Sequence, residues 1–388
     1  MAEMAEKEHR PAEAVELLKA AISAGEGVPW FVFPRLAGNL RDIGRHDDAL
    51  MALSGIEGVP DKQLWRVDMW KGQVYGAMKN YPAAIEHHTR ALEMHPARTM
   101  NYIFLGAIYS YAQEQEKALE VLLRGLDAEG DRDEVYLNIG LCHRTNGEYG
   151  LAEEALKKAL DITPAYPEAE TVLRDVKAAQ IALEMRKSPI SKKDFMELYE
   201  KAKKADNEDR HAEAAELFKT VSRGVESMPS FGWFRLGENL RLIGRFDEAE
   251  EIFASIDDVP EKWQWLLFTH KGGLHLDQGD FQRAFYYFEQ AVENHPQGTK
   301  PYVCLASAYA AVQEPKKAIE VLLRGLETEG SFDDVHADLG VNYRTSGEYV
   351  LARDAFAKAL ELSPAYPGAE EGLKDVSGAL CVLEMLKE

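Results

Sequence analysis

The sequence predicts an all-α fold, an array of helical hairpins, and three observations carry that expectation. From residue 65 to 166 small and aromatic residues recur at the same offsets every 34 residues, and a period of this length marks stacked two-helix units. A shift of 200 residues then aligns the two halves of the 388-residue chain without a gap: Val121-Leu122-Leu123-Arg124-Gly125-Leu126 recurs at 321–326, and Pro164-Ala165-Tyr166-Pro167 at 364–367. Roughly four positions in ten are identical between residues 8–185 and their partners, the mark of tandem duplication. Finally, no run alternates with period two for long enough to suggest sheet.

Taken in order, residues 1–29 supply the second helix of an opening unit (Ala12, Ala14, Leu17, Leu18, Ala21) but only a stub of its first, which reads as a cut or processed amino end. Units then begin at residues 30, 65, 99 and 133, and their counterparts at 230, 265, 299 and 333, with a complete extra unit at 195–229. Each reads as two amphipathic helices of about 14 residues joined by a tight turn, at Lys79-Asn80, Asn146-Gly147 or Gln278-Gly279. Pro96, Pro164, Pro296 and Pro364 stop the second helices. Gly72, Gly106, Gly140, Gly272 and Gly340 lie where two helices must approach closely, facing Ala84, Ala118, Ala152, Ala284, Ala318 and Ala352. Tyr75, Leu122, Tyr149, Phe288 and Phe356 fill the spaces between pairs.

Residues 167–187 and 367–386 add one more helical stretch to each half, with apolar Ala169, Val172, Leu173, Val176, Ala179 and Leu183 on one face to cover the last pair. Ser188-Pro189 breaks the chain there, and Ser191 with Asp194 predicts a capping box opening the next helix. The expected organisation is therefore a first block at 1–190 and a second at 191–388, either one continuous superhelix or two bodies hinged near Ser188-Pro189.

The offsets fit W-x2-L-G-x2-Y, then A-x3-F, then Pro, as in Tyr136, Ile139, Gly140, His143, Ala152, Leu156 and Pro164. By these positions nearly the whole chain resembles the tetratricopeptide repeat (TPR) family. The resemblance implies a right-handed solenoid, an alpha-alpha superhelix, whose first helices line a concave groove for a peptide segment or helix of a protein partner. In the first half the groove positions are Phe31, Arg35, Arg41, Arg66, Trp70, Phe104, Tyr111, Asn138 and Arg144. In the second they are Phe231, Arg235, Arg241, His270, Asp277, Asp334, Asp338 and Arg344. Aromatic and Arg residues make good anchors because they bury large area and keep directional polar contacts; the competing reading is that they pack between repeats. Relatives that clamp the acidic tails of heat-shock chaperones use Lys and Asn at set positions. Here the sixth positions hold Arg35, Trp70, Phe104 and Asn138, so that clamp is missing.

A net charge of −21 (45 Lys and Arg against 66 Asp and Glu) argues against nucleic acid and anionic membrane surfaces and permits a basic or mixed-charge protein partner. No apolar stretch approaches a bilayer-spanning length, and residues 1–8 show no secretory signal. Cys142, Cys304 and Cys381 are far apart in helical stretches and read as small buried hydrophobes in a reducing, cytoplasmic setting.

No phosphate loop, dinucleotide fingerprint, nucleophile elbow or H-E-x-x-H occurs. His87-His88 with His95 is the best metal candidate, and it reads better as one packed and two solvated rings; His270 and His275 do not share a helix face. Acidic pairs such as Glu153-Glu154 and Asp257-Asp258 read as solvated faces. The sequence therefore predicts no enzyme, cofactor or metal, but a scaffold or adaptor. The alternatives are a regulatory or targeting part of a larger enzyme, and a self-assembling array.

Overall fold

A left-handed residue closes nearly every hairpin in the computed structural model, and it falls at the expected turns: Lys79 has φ +56°, Gly147 +74° and Gly279 +76°. One residue in that region reverses the chain so that the next helix can start antiparallel to the last; glycine adopts it without the steric cost that Lys79 bears. The structure describes residues 1–24, 28–186, 191–223, 228–256 and 259–387. Ser188-Pro189 and Asp257-Asp258 lie outside them.

Among the described residues the chain is all-α, with no strand and two isolated bridge pairs, Arg98 with Glu129 and Gly298 with Glu329. The helices are α1 (Ala2–Lys7), α2 (Pro11–Ala24), α3 (Val32–Asp42), α4 (His46–Ser54), α5 (Leu64–Ala77) and α6 (Tyr81–Met94). Then come α7 (Thr99–Tyr111), α8 (Gln115–Gly125), α9 (Arg132–Thr145), α10 (Tyr149–Ile162) and α11 (Pro167–Met185). The second half holds α12 (Lys192–Asn207), α13 (His211–Val221), α14 (Ser230–Leu242), α15 (Phe246–Ala254), α16 (Glu261–Gln278) and α17 (Phe281–Asn294). It ends with α18 (Thr299–Ala311), α19 (Pro315–Gly325), α20 (Asp333–Thr345), α21 (Tyr349–Leu362) and α22 (Ala369–Met385). Helices α6, α10, α17 and α21 each stop two residues before their proline. Half of the expected capping box is present: the Asp194 amide donates to Ser191 Oγ at 3.3 Å, while the Asp194 carboxylate accepts from the Ser191 hydroxyl at 2.6 Å instead of from its amide.

The glycine contacts differ in one respect from the expectation. A Cβ on Gly140 would lie 2.7 Å from the Leu156 side chain, one on Gly106 2.6 Å from Leu122, and one on Gly340 2.6 Å from Phe356. The close neighbour is thus the large residue four positions after each alanine, whose side chain lies over the bare backbone; the alanine only lets the helices approach.

Contacts gather the chain into two compact units, Leu92–Gln278 and a second made of Met1–Ala91 with Gly279–Glu388. Their limits differ from those of the sequence duplication, because each unit takes the end of one block and the start of the other. In the unit 92–278, α11 packs on α10 and on α13. Asp175 of α11 accepts the Ala212 and Glu213 amides at 3.2 and 2.9 Å, satisfying two of the free N–H groups that open α13. The other unit repeats this: α22 packs on α21 and on α2, and Asp375 accepts the Ala12 and Glu13 amides at 2.8 and 3.1 Å. Helices α11 and α22, expected as covers, are joints with a partner on both sides. One apolar core runs from Ala12, Val15 and Leu40 to Phe356, Val376 and Ala379, although its parts are more than 300 residues apart in sequence.

Candidate protein-binding surface

The first-helix arginines are held by acids and amides of neighbouring helices. Arg35 of α3 makes a two-pronged contact with Glu6 of α1, Nη2 to Oε2 at 2.6 Å, and Asn39 adds a bond to the same carboxylate at 2.9 Å. One block later Arg235 pairs with Asp206, which also accepts from Asn239 at 2.7 Å. Arg41 donates to Gln73 at 2.9 Å, and its counterpart Arg241 bonds Glu238 and pairs with Asp277. Arg344 reaches Asp375 at 3.2 Å and Arg144 faces Asp175 at 3.9 Å. These six side chains tie repeat to repeat.

Electrostatics follow the same pattern. Burial opposes charge on Glu238, but hydrogen bonds from the His270 ring and Arg241 outweigh it and hold this carboxyl well below the usual range. His270 is stacked between Phe234 and Phe253, at 5.7 and 5.6 Å between centroids. Burial also raises Asp175 and Asp375, against the pull of Arg144 and Arg344. Tyr149 donates to Glu216 at 2.9 Å in one unit and Tyr349 to Glu16 at 3.0 Å in the other. Sequence reasoning missed Asp175 and Asp375; the available signal was an acid repeated on the apolar face of both terminal helices.

The aromatic positions divide. Phe31, Phe231 and Tyr111 are 52, 47 and 61 % exposed. Trp70 is half-buried, 6.2 Å from Trp30, which meets the Phe31 ring edge-on at 6.3 Å. Phe231 meets Trp263 at 6.2 Å, with the Arg235 guanidinium 6.0 Å over its ring. Arg66 is exposed over Trp65, Phe104 is half-buried, and Asn138 donates to the Glu134 carbonyl of its own helix. Asp334 accepts from Tyr366 at 2.8 Å, whereas no described residue donates to the neighbouring Asp338 carboxylate. Each unit thus presents an exposed aromatic patch, Phe31 with Trp30 in one and Phe231 with Trp263 in the other.

Of the histidines, His88 is buried as expected, but His87 is not solvated: it bonds Asp68 at 2.7 Å and stacks on Tyr75. Cys142 is buried and its thiol is pushed up to about 11, while Cys381 is exposed, on the solvent side of α22. Among the described residues no three His, Cys, Asp or Glu side chains converge as metal ligands would, and no helix is long and apolar enough to cross a membrane.

Three stretches of the chain, residues 133–166, 234–299 and 275–337, match family profiles described as tetratricopeptide repeat. The chain belongs to the TPR family. It is 23 % identical to human DnaJ homolog subfamily C member 7 over 82 % of its own length and 57 % of that protein's. It is 21 % identical to the bovine BBSome complex member BBS4 over 86 % of its length and 59 % of the relative's. The TPR chain therefore spans less than three fifths of these relatives. Yeast Tom70 covers 90 % of it, with 96 % of that chain covered, at 13 % identity and a TM-score of 0.41. The Cut9–Hcn1 complex covers 89 % of it, with 62 % of that chain covered, at 17 % identity and a TM-score of 0.37. These overlaps are too low to carry an argument, and the family rests on the profile matches. TPR arrays are protein-interaction scaffolds, and that much applies here.

Proposed function

We propose that this TPR protein is a non-enzymatic scaffold of the cytoplasm that holds a segment of a protein partner against the exposed aromatic residues of its first helices. The observation that carries the reading is the division within the first-helix positions. Six of the seven first-helix arginines, all but the exposed Arg66, are held by bonds that reach a neighbouring helix, whereas Phe31, Phe231 and Tyr111 stay open to solvent at or beside the ends of α3, α14 and α7. Large rings exposed on otherwise well-packed helices are the kind of anchor that contributes most at interfaces. That one relative is by name a member of a multiprotein complex supports the same reading.

Affinity capture with the intact chain from its native host tests it. A protein recovered by the parent is expected to be lost with Phe31→Ala combined with Phe231→Ala, at unchanged helix content. Undiminished recovery would remove these rings from the binding surface.

A further inference from the structure

We propose that a cavity of about 520 Å³ in the unit formed by residues 1–91 and 279–388 is a receptor for one arginine or lysine side chain of a partner segment. It opens between the α1–α2 turn, α3, α20 and α22, with Ala337, Val341, Phe356 and Tyr366 on its apolar wall and Asp338 beside them. This assignment rests on the scaffold reading above and gives it a specificity element.

Charge accounting singles out Asp338. Of the other charged groups of the wall, Arg344 is engaged with Asp375, Arg10 with Glu8 and Glu13, Glu6 with Arg35 and Asn39, and Asp42 with Arg41, while Glu371 is exposed and keeps its water. Asp338 is half-buried, receives no hydrogen bond or ion pair from a described residue, and sits near a second carboxylate, Asp334. Burial, reinforced by Asp334 and only partly offset by the Lys300 ammonium nearby, pushes its ionisation up to about 6. A carboxylate withdrawn from water without a partner is costly, and a cation entering the cavity removes that cost.

The duplication gives a counterpart against which this wall can be compared. At the positions 200 residues away the first block has Leu137 for Ala337, Leu141 for Val341 and Asn138 for Asp338, and the second has Leu242 for Asp42. These four replace bulk or a neutral amide with space or negative charge, whereas Phe356 for Leu156 and His9 for Asp209, in the same wall, run the other way. Gly372, which stands for Val172, adds no space, since a Cβ there would lie 2.7 Å from the Phe356 ring. In the other unit the Asn138 amide is spent on its own helix. A volume of this size lies in the range of small-molecule sites and leaves room to spare for one side chain, and the net charge of −21 favours a cationic visitor.

Calorimetric titration of the full chain at about 150 mM salt, where surface charges are screened, compares two probes: Ac-Leu-Arg-Leu-NH2 and the same peptide with neutral citrulline for arginine. The parent is expected to prefer the arginine peptide by about tenfold or more, equivalent to ~1.4 kcal/mol. Asp338→Asn, which restores the residue found at 138, should abolish that preference while the melting curve shows a folded protein; Asp209→Asn, at a carboxylate far out in solvent, should keep it. Equal affinity for both peptides, no binding of either, or a preference that survives Asp338→Asn overturns the proposal. If partner capture still depends on Phe31 and Phe231, such a failure sinks the cavity alone and leaves the scaffold standing.

Discussion

His88 fills a place that leucine or phenylalanine fills elsewhere, in Leu122, Leu156 and Phe356, and it lies where a Cβ on Gly72 would touch its ring. Burial pushes this ring down to about 4, with His87 adding to the effect. The folded value lies below that of an unfolded histidine, so the unfolded chain takes up the proton first. The contribution of this site is intact above about pH 6.5 and is lost as the pH falls toward 4. His88→Leu should therefore raise the melting temperature, and by more at pH 5 than at pH 8; an equal gain at both values would mean that the ring is not kept neutral by the fold. Gly140 gives the opposite test. Its bare backbone lies against Leu156, so Gly140→Leu is expected to cost about 1 to 3 kcal/mol in urea unfolding, and an unchanged midpoint would show that the two helices do not meet there.

At the scale of helices, Asp175 and Asp375 do more than their sequence positions announce. Each caps a helix other than its own, and among the described residues Asp375 is the carboxylate bonded to the Ala12 and Glu13 amides of α2. Asp375→Ala is expected to destabilise by about 1 to 2 kcal/mol, the usual cost of a lost helix cap, and to leave Arg344 without its acid. A chemical denaturation midpoint within error of the parent would contradict the capping role. Hairpins, turns and helix ends were legible in the sequence because local rules set them: Pro96 and Pro164 cannot continue a helix, and the turn needs one left-handed residue. The roles of the arginines were not legible. Arg35 looks the same on paper whether it faces a partner or bonds Glu6, and the two are 29 residues apart. Only stacking brings them together. The signal available was an acid 29 residues before each of Arg35 and Arg235, with Asn39 and Asn239 following in both blocks. The cavity at Asp338 was visible only as an acidic groove position; its empty volume depends on Ala337 and Val341 being smaller than their counterparts.

For the molecule as a whole, the duplication and the compact units divide the chain differently. We regard 1–190 and 191–388 as blocks of descent, while contacts join residues 1–91 to 279–388 through α2 and α22. A block expressed alone leaves uncovered the face that its terminal helix or its opening helix buries in the intact chain. Fragments 1–190 and 191–388 should therefore combine in a one-to-one complex when mixed, by size-exclusion chromatography with light scattering; two species that ignore each other would show that the α2–α22 and α11–α13 joints are both weak. The central claim, that the exposed first-helix rings hold a protein partner, is tested most directly by the dissociation constant of a captured partner for the parent, for Phe31→Ala with Phe231→Ala, and for Asp209→Asn as an exposed control outside the groove positions. Loss of about a thousandfold in the double variant, from two anchors worth about 2 kcal/mol each, with the control near the parent value, is the expected result. A double variant that binds as tightly as the parent would contradict it.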